Sequence, residues 1–260
     1  MRDSQKENAI AEDFSKKKIN LKLFCYDEVE STMDAAADEI KKNSLTDTAV
    51  IMANRQTKGR GRQSRSWESV EGNFFATFSF PLKAELKVYS GFSLVAGLAV
   101  NAALSQLGCR TRLKWPNDIL SLNNKKLGGI LIEIVEHGNK KYMLCGIGIN
   151  LIQTPAQIEN TISIKEICDQ AFTPSQILIK LAPIVEKHFD KFSQSGFAPF
   201  KADWMLNAAY IGREVSVHVA GSKKLSGMLM GVLNDGTLQL EREGKFENIS
   251  AGDLSLAESQ

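Results

Sequence analysis

Cysteine and histidine are scarce in this 260-residue chain, and what there is of them is scattered. Cys25, Cys109, Cys145 and Cys168 form no C-x-x-C pair, and His137, His188 and His218 match no zinc spacing. That excludes a metal cage and a disulfide framework, so the thiols are expected to be reduced, as in cytoplasm. No apolar run approaches the length of a membrane span, and the N-terminus "MRDSQKENAIAEDFSKKK" has no apolar signal core. A soluble cytoplasmic protein with no membrane contact is expected. Net charge of one sign is also lacking: 32 Lys and Arg balance 30 Asp and Glu, for a formal charge of +2. Polynucleotide-binding proteins usually carry a broader positive face. No G-x-x-x-x-G-K-[ST] occurs, which excludes a P-loop, and there is no internal repeat.

What is present is enough apolar sequence, 43%, for one substantial core and a small second domain. Residues 1 to 20 read as a polar, flexible tail. Strand patterns at 21–28, 48–54 and 72–80 flank a helix at 31–42, with Ser31 or Thr32 as its cap. A helix apolar nearly all round is expected over 89–108. The strand-rich runs "TRLKW", "DILSL", "KKLGGILIEIV" and "KKYMLCGIGINL" follow, separated by Asn and Gly turn signals. Two further helices are expected at 174–192, interrupted at Pro183, and at 197–209. The class is α+β: a mixed or antiparallel sheet backed by helices on one side, over 21–208. From residue 209 to 260 the short strands and the Asn-Asp-Gly turn suggest a small SH3-like β-barrel.

Four stretches can carry chemistry. "RQTKGRGRQSRSW" (55–67) puts five cations and two glycines in thirteen residues with no acid. Glycine lets the backbone approach a ligand, and guanidinium forks suit phosphate or carboxylate. A solvated basic loop would read the same. In "KWPNDIL" (114–120), Pro116 presents Asn117 and Asp118, whose carboxylate could hold a metal or a hydroxyl, or complete an Asx turn. "KKLGGILIE" (125–133) places Lys126 beside an apolar run and two glycines inside a strand, where a ligand or a neighbouring helix must come close. "GIGIN" (146–150) ends a strand on Asn150.

Together, in this order and spacing, the four motifs resemble the biotin protein ligases, and "STM" (31–33) looks like that family's S-T-N entry motif. The resemblance runs from about residue 21 to the C-terminus, and implies a biotin/lipoate ligase-like catalytic domain with a C-terminal barrel. It implies that biotin and ATP, with Mg²⁺, form biotinyl-5′-AMP, whose biotinyl group passes to one lysine of a biotin carboxyl carrier domain. On this chain Ser31, Thr32, Gln56, Gly59, Arg60, Arg62, Lys126 and Gly129 would hold biotin. Arg60, Arg62, Arg65, Trp67, Asn117, Asp118, Lys126 and Asn150 would serve the nucleotide. Lys126 and Arg62 would be catalytic, and Asp118 would lie in the Mg²⁺ region. The basic loop is expected to be mobile when empty, with little to hold it down.

Two departures stand out. Met33 occupies the position where the family often has Asn. The first twenty residues are also too few for the helix-turn-helix domain of the relatives that repress transcription, so a ligase without specific DNA binding is expected; a homodimer is left open. The rival readings are a lipoate–protein ligase and, in another class, an RNA- or single-strand-binding module.

Overall fold

The structure is a computed structural model that describes residues 1–42, 45–83, 89, 91–219 and 223–257. Seven strands form the main sheet: β1 (Lys22–Val29), β2 (Ala49–Gln56), β3 (Phe74–Pro81), β4 (Thr111–Lys114), β5 (Asp118–Ser121), β6 (Lys126–His137) and β7 (Lys140–Ile149). Their order is β1-β2-β3-β7-β6-β5-β4. Only β1 and β2 run parallel, because α2 (Thr32–Lys41) crosses between them; the other neighbours are antiparallel.

Alternation along the strands sends side chains to two different cores. Val50, Met52, Met143, Cys145 and Ile147 face the helices α3 (Phe92–Ser105) and α5 (Pro174–Ser195). Ile51, Tyr142 and Leu144 face the other way, where α2 packs with Met33, Ala36 and Ile40. Helices therefore cover both faces, not one as expected from the sequence. The amphipathic α2 is too short to cover its whole face, and a hollow is left beside it over β6 and β7.

The expected helix at 89–108 is α3, starting after Gly91; position 90 lies outside the described residues. Helix α5 runs unbroken through Pro183. An interior proline costs about 3 kcal/mol. The buried stripe of Leu178, Leu181, Ala182, Val185, Phe189 and Phe192 outweighs it. Two short helices, α4 (Ile164–Cys168) and α6 (Lys201–Asn207), complete this layer.

The C-terminal sheet is antiparallel: β8 (Glu214–Val219), β9 (Lys223–Val232), β10 (Leu238–Arg242), β11 (Lys245–Ile249) and β12 (Asp253–Leu256), in the order β11-β10-β9-β8-β12. This bears out the expected SH3-like texture. Its inner residues Val215, Val217, Leu229, Leu238 and Leu240 are continuous with the core around α3. Trp115 donates its indole N–H across this boundary to the Gly236 carbonyl (3.1 Å).

Two expectations fail outright. Residues 1–20 are not a flexible tail: α1 (Ser4–Lys16), capped by Asp3, buries Ile10 and Phe14. Residues 1–3 pair with the outer edge of β1, where the Asp3 N–H donates to the Cys25 carbonyl and the Asp27 N–H to that of Met1. An open sheet edge invites pairing with another chain, and this segment covers it. Two apolar side chains four residues apart were enough to fix a helix whose composition reads as solvated. Nor are all the thiols reduced: Cys109, after α3, is bonded to Cys168 at the end of α4. The fold closes the 59-residue separation that made the pair invisible by spacing. Cys25 and Cys145 are free and buried.

If α1 is part of the core, Phe14→Ala should lower the free energy of unfolding by roughly 3–5 kcal/mol. Denaturant melts measure this, and a mobile tail would give no change.

Candidate active site

The hollow beside α2 is a cavity of about 320 Å³. Every site residue expected from the sequence lines it except Gly59. Its floor is made by missing side chains: Gly129, Gly146 and Gly148 share one face of β6 and β7. A Cβ on Gly148 would lie 2.7 Å from the Trp67 ring, and one on Gly146 would lie 2.8 Å from the Met33 sulfur. Trp67 thus lies flat on the strands, which only glycine permits. Its indole N–H is buried with no partner among the described residues.

At one end, α2 and β2 bring polar groups together. Thr77 donates to the Thr32 hydroxyl (2.8 Å), and the N–H and hydroxyl of Thr32 both donate to Gln56 Oε1 (2.8 and 3.1 Å). Gln56 Nε2 reaches Ser69 (3.3 Å), and Ser31 caps α2 through the Met33 N–H (3.2 Å). The result is a rigid, neutral cluster of donors and acceptors with Met33 as its apolar wall. Asp34, in the first turn of α2, binds Arg60 (2.6 Å).

At the other end three charges meet. Asp118, at the start of β5, is only 9% exposed and lies 2.7 Å from both the Lys114 and Lys126 ammonium groups. Burial alone would push its carboxyl up; Lys126 and Lys114 outweigh burial and hold it below the ordinary aspartate range. Lys126 also lies 5.7 Å from the Trp67 ring. The anion holds both cations in place, with net charge left over for a ligand.

The basic loop closes the cavity. A turn at Arg62–Ser64 is tightened by left-handed Gln63 and Ser64, with the Gly61 N–H on the Arg65 carbonyl (2.7 Å) and the Trp67 N–H on that of Gly59 (2.8 Å). A Cβ on Gly59 would stand 2.5 Å from the Trp67 carbonyl oxygen, so Gly59 shapes the loop without touching the cavity. Arg60 spans Asp34 and Glu133, while Arg62 and Arg65 both bind Asp253 of β12. Arg62 also donates to Asn117 (3.3 Å) and to the Gly252 carbonyl (3.0 Å). The expectation of a loop with little to hold it down is therefore corrected: its acids come from α2, β6 and the C-terminal sheet.

Asn117 and Asn150 serve largely as braces. Asn117 exchanges hydrogen bonds with Ile130 on β6, and Asn150 holds Ile162, Ile164 and Leu127. Through the latter, residues 160–162 pair with the Lys126 backbone. The sequence reading missed Lys114, although it begins the "KWPND" run. It missed Asp253 too, which has no signal in the sequence, since it meets Arg62 from 191 residues away.

A metal-binding role for Asp118 fits poorly. Its carboxylate already carries two ammonium partners, and no group of three or more His, Cys, Asp or Glu among the described residues could hold an ion. Mg²⁺ commonly uses one or two carboxylates together with substrate phosphates. The described residues offer it no cage of their own.

Comparison with known proteins agrees with this geometry. The model of the Biotin/lipoate A/B protein ligase family matches residues 26–150. A biotin–[acetyl-CoA-carboxylase] ligase of Paracoccus denitrificans is 31% identical over 221 residues, 81% of this chain and 91% of the relative. The bifunctional ligase/repressor BirA of Bacillus subtilis is 29% identical over 240 residues, 89% of this chain and 73% of its own length. Among solved structures, the biotin protein ligase of Aquifex aeolicus in complex with biotin and ATP superposes with a TM-score of 0.75 at 31% identity, covering 92% of this chain and 99% of that one. The chain belongs to the biotin protein ligase family.

Proposed function

We propose that this chain is an ATP-dependent biotin–protein ligase, which makes biotinyl-5′-AMP and transfers the biotinyl group to a specific lysine of a biotin carboxyl carrier protein. The observation that carries this reading is the single cavity that joins the neutral Thr32–Gln56 cluster to the Lys114–Asp118–Lys126 charges under a guanidinium loop. A flat, uncharged ureido ring suits the first end, and a carboxylate meeting a phosphate suits the second. Biotin has both ends.

In adenylation a biotin carboxylate oxygen bonds to the α-phosphorus, and the bond to the bridging oxygen breaks, its electron pair leaving with pyrophosphate. Two anions must be brought together. Lys126, Lys114 and Arg62 are already oriented by Asp118 and Asp253, so they can stabilise the gathering charge without reorganising. Trp67 and the loop screen the mixed anhydride from water. In the second step the acceptor lysine attacks the biotinyl carbonyl carbon and AMP leaves. No protein nucleophile is needed. Ser31 and Gly129 shape the biotin slot, Gly59 shapes the loop that covers it, and Arg60, Arg65, Asn117 and Asn150 support the nucleotide side. Mg²⁺ enters as part of the substrate MgATP.

A cytoplasmic location would supply the ATP that this reaction consumes. There the Cys109–Cys168 bond meets a reducing thiol pool. No helix among the described residues is long and apolar enough to cross a membrane. Sequence-specific DNA binding is not part of this proposal.

Biotin-dependent exchange of pyrophosphate into ATP tests the reading directly; its absence in the folded chain would refute it. Lys126→Ala should slow adenylation by roughly two to three orders of magnitude, the scale of losing one preorganised donor. Near-normal adenylation by that variant would remove Lys126 from the mechanism. Asp253→Asn releases Arg62 and Arg65 together. Amide hydrogen exchange across 58–66 should then accelerate by roughly tenfold, and biotinyl-AMP should escape faster and label bystander lysines. Exchange that stayed at the wild-type rate would show that Asp253 does not hold the loop.

A further inference from the structure

A second cavity, of about 240 Å³, opens where β4 and the β5–β6 turn meet the C-terminal sheet. Arg112, Arg213, Tyr210, Asn124, Leu206 and Leu256 contribute to its walls. This is smaller than the ~300–1,000 Å³ typical of drug-sized ligands and suits a small ion. The guanidinium groups of Arg112 and Arg213 have no acidic or hydrogen-bonding partner among the described residues. That sets them apart from Arg55, Arg60, Arg62 and Arg65, each of which binds a carboxylate. Two exposed, unpaired cations lining one cavity give it a positive potential that an anion would neutralise.

The cavity is built deliberately beside the active site. Segment 208–213 is laid along β4 by pairing of Leu113 with Ala208 and by the Ala209 N–H on the Leu113 carbonyl (2.7 Å). This brings Tyr210, held at φ 69°, and Arg213 against the strand that carries Arg112. Burial and the nearby Asp118 charge push the Tyr210 phenol up, so it stays protonated as a donor. Two strands bound both cavities. On β4, Leu113 faces the helical core, so Arg112 and Lys114 share the opposite face, Lys114 in the active site and Arg112 in the second cavity. They lie two positions apart on the strand, about 7 Å. On β12, Asp253 and Leu254 line the first cavity and Leu256 the second.

We infer that the Arg112–Arg213 cavity is a subsite for a small phosphate-class anion, occupied by the pyrophosphate that leaves during adenylation. The identity of the anion rests on the ligase reading; the existence of the subsite does not. The leaving group departs carrying the electron pair of the broken bond and several negative charges. Lys114 and then Arg112 offer it a line of cations away from the mixed anhydride, which it would otherwise re-attack. Asn124 and Tyr210 add neutral polar side chains to its lining.

The test is calorimetric titration of inorganic pyrophosphate, and separately of inorganic phosphate, into the full chain and into Arg112→Ala and Arg213→Ala. Both side chains are exposed, and thermal melts verify folding; Arg213→Gln is the substitute if Arg213→Ala fails to fold. Each loss should weaken pyrophosphate binding by roughly tenfold, and pyrophosphate should bind the wild type more tightly than phosphate does. In parallel, pyrophosphate should become a weaker product inhibitor of biotinyl-AMP formation in both variants. Unchanged pyrophosphate affinity in the folded variants overturns the subsite. Equal affinity for phosphate and pyrophosphate overturns the leaving-group assignment. A wild-type chain that makes no adenylate refutes the ligase reading instead, while the titration still decides whether the subsite exists.

Discussion

Cations that must attract two anionic substrates have to be held together before either substrate arrives, and this electrostatic constraint orders the whole site. Lys114 and Lys126 are held by Asp118, Arg60 by Asp34 and Glu133, and Arg62 and Arg65 by Asp253. Each acid comes from a different element, so α2, β5, β6 and β12 must all be in place for the cations to converge. The C-terminal sheet is thereby part of the site, since without Asp253 two of the loop arginines have no acidic partner. The buried Asp118 pair is costly to desolvate, and such clusters are kept for function more readily than for stability.

The acids also set a threshold. A carboxylate already satisfying an arginine must be displaced, or joined, by the arriving phosphate. An exposed pair such as Arg65 with Asp253 is worth little in water and is easily given up. The half-buried Lys114–Asp118–Lys126 group is not. A fixed charge cluster beneath a loop on exchangeable ion pairs can admit a substrate and then close on it.

Most of the site could be read from the chain because its motifs are local: the basic loop, "KWPND", "KKLGG" and "GIGIN" each sit at a strand end facing the same hollow. The fold class was legible for a similar reason, since the strand and turn signals from 111 to 149 form consecutive hairpins. What escaped was whatever depends on distant pairing. Asp253 and the Cys109–Cys168 bond have no local pattern, and Glu133 reads as the polar side of a strand. Helix α1 escaped because its stability comes from where it docks. Ile10 and Phe14 alone do not outweigh eleven other positions in a window, but buried against β1 and α5 they fix the segment.

The glycines join both themes. In sequence, Gly129, Gly146 and Gly148 appear as weaknesses in otherwise strong strands, a cost in conformational entropy without packing in return. In the fold they line up across β6 and β7, and the volume they leave is what Trp67 and Met33 partly fill. Met33 meets Gly146 at the neutral end and Trp67 meets Gly148 at the charged end, so the same glycine row sets the depth of both halves of the slot. A polar side chain in place of Met33 would need a partner from the ligand, because Gly146 offers no side chain and its neighbours Leu131 and Leu144 are apolar. Met33 therefore contributes shape at this end, and the polar groups beside it are Thr32 and Gln56, which are locked to each other and to Thr77.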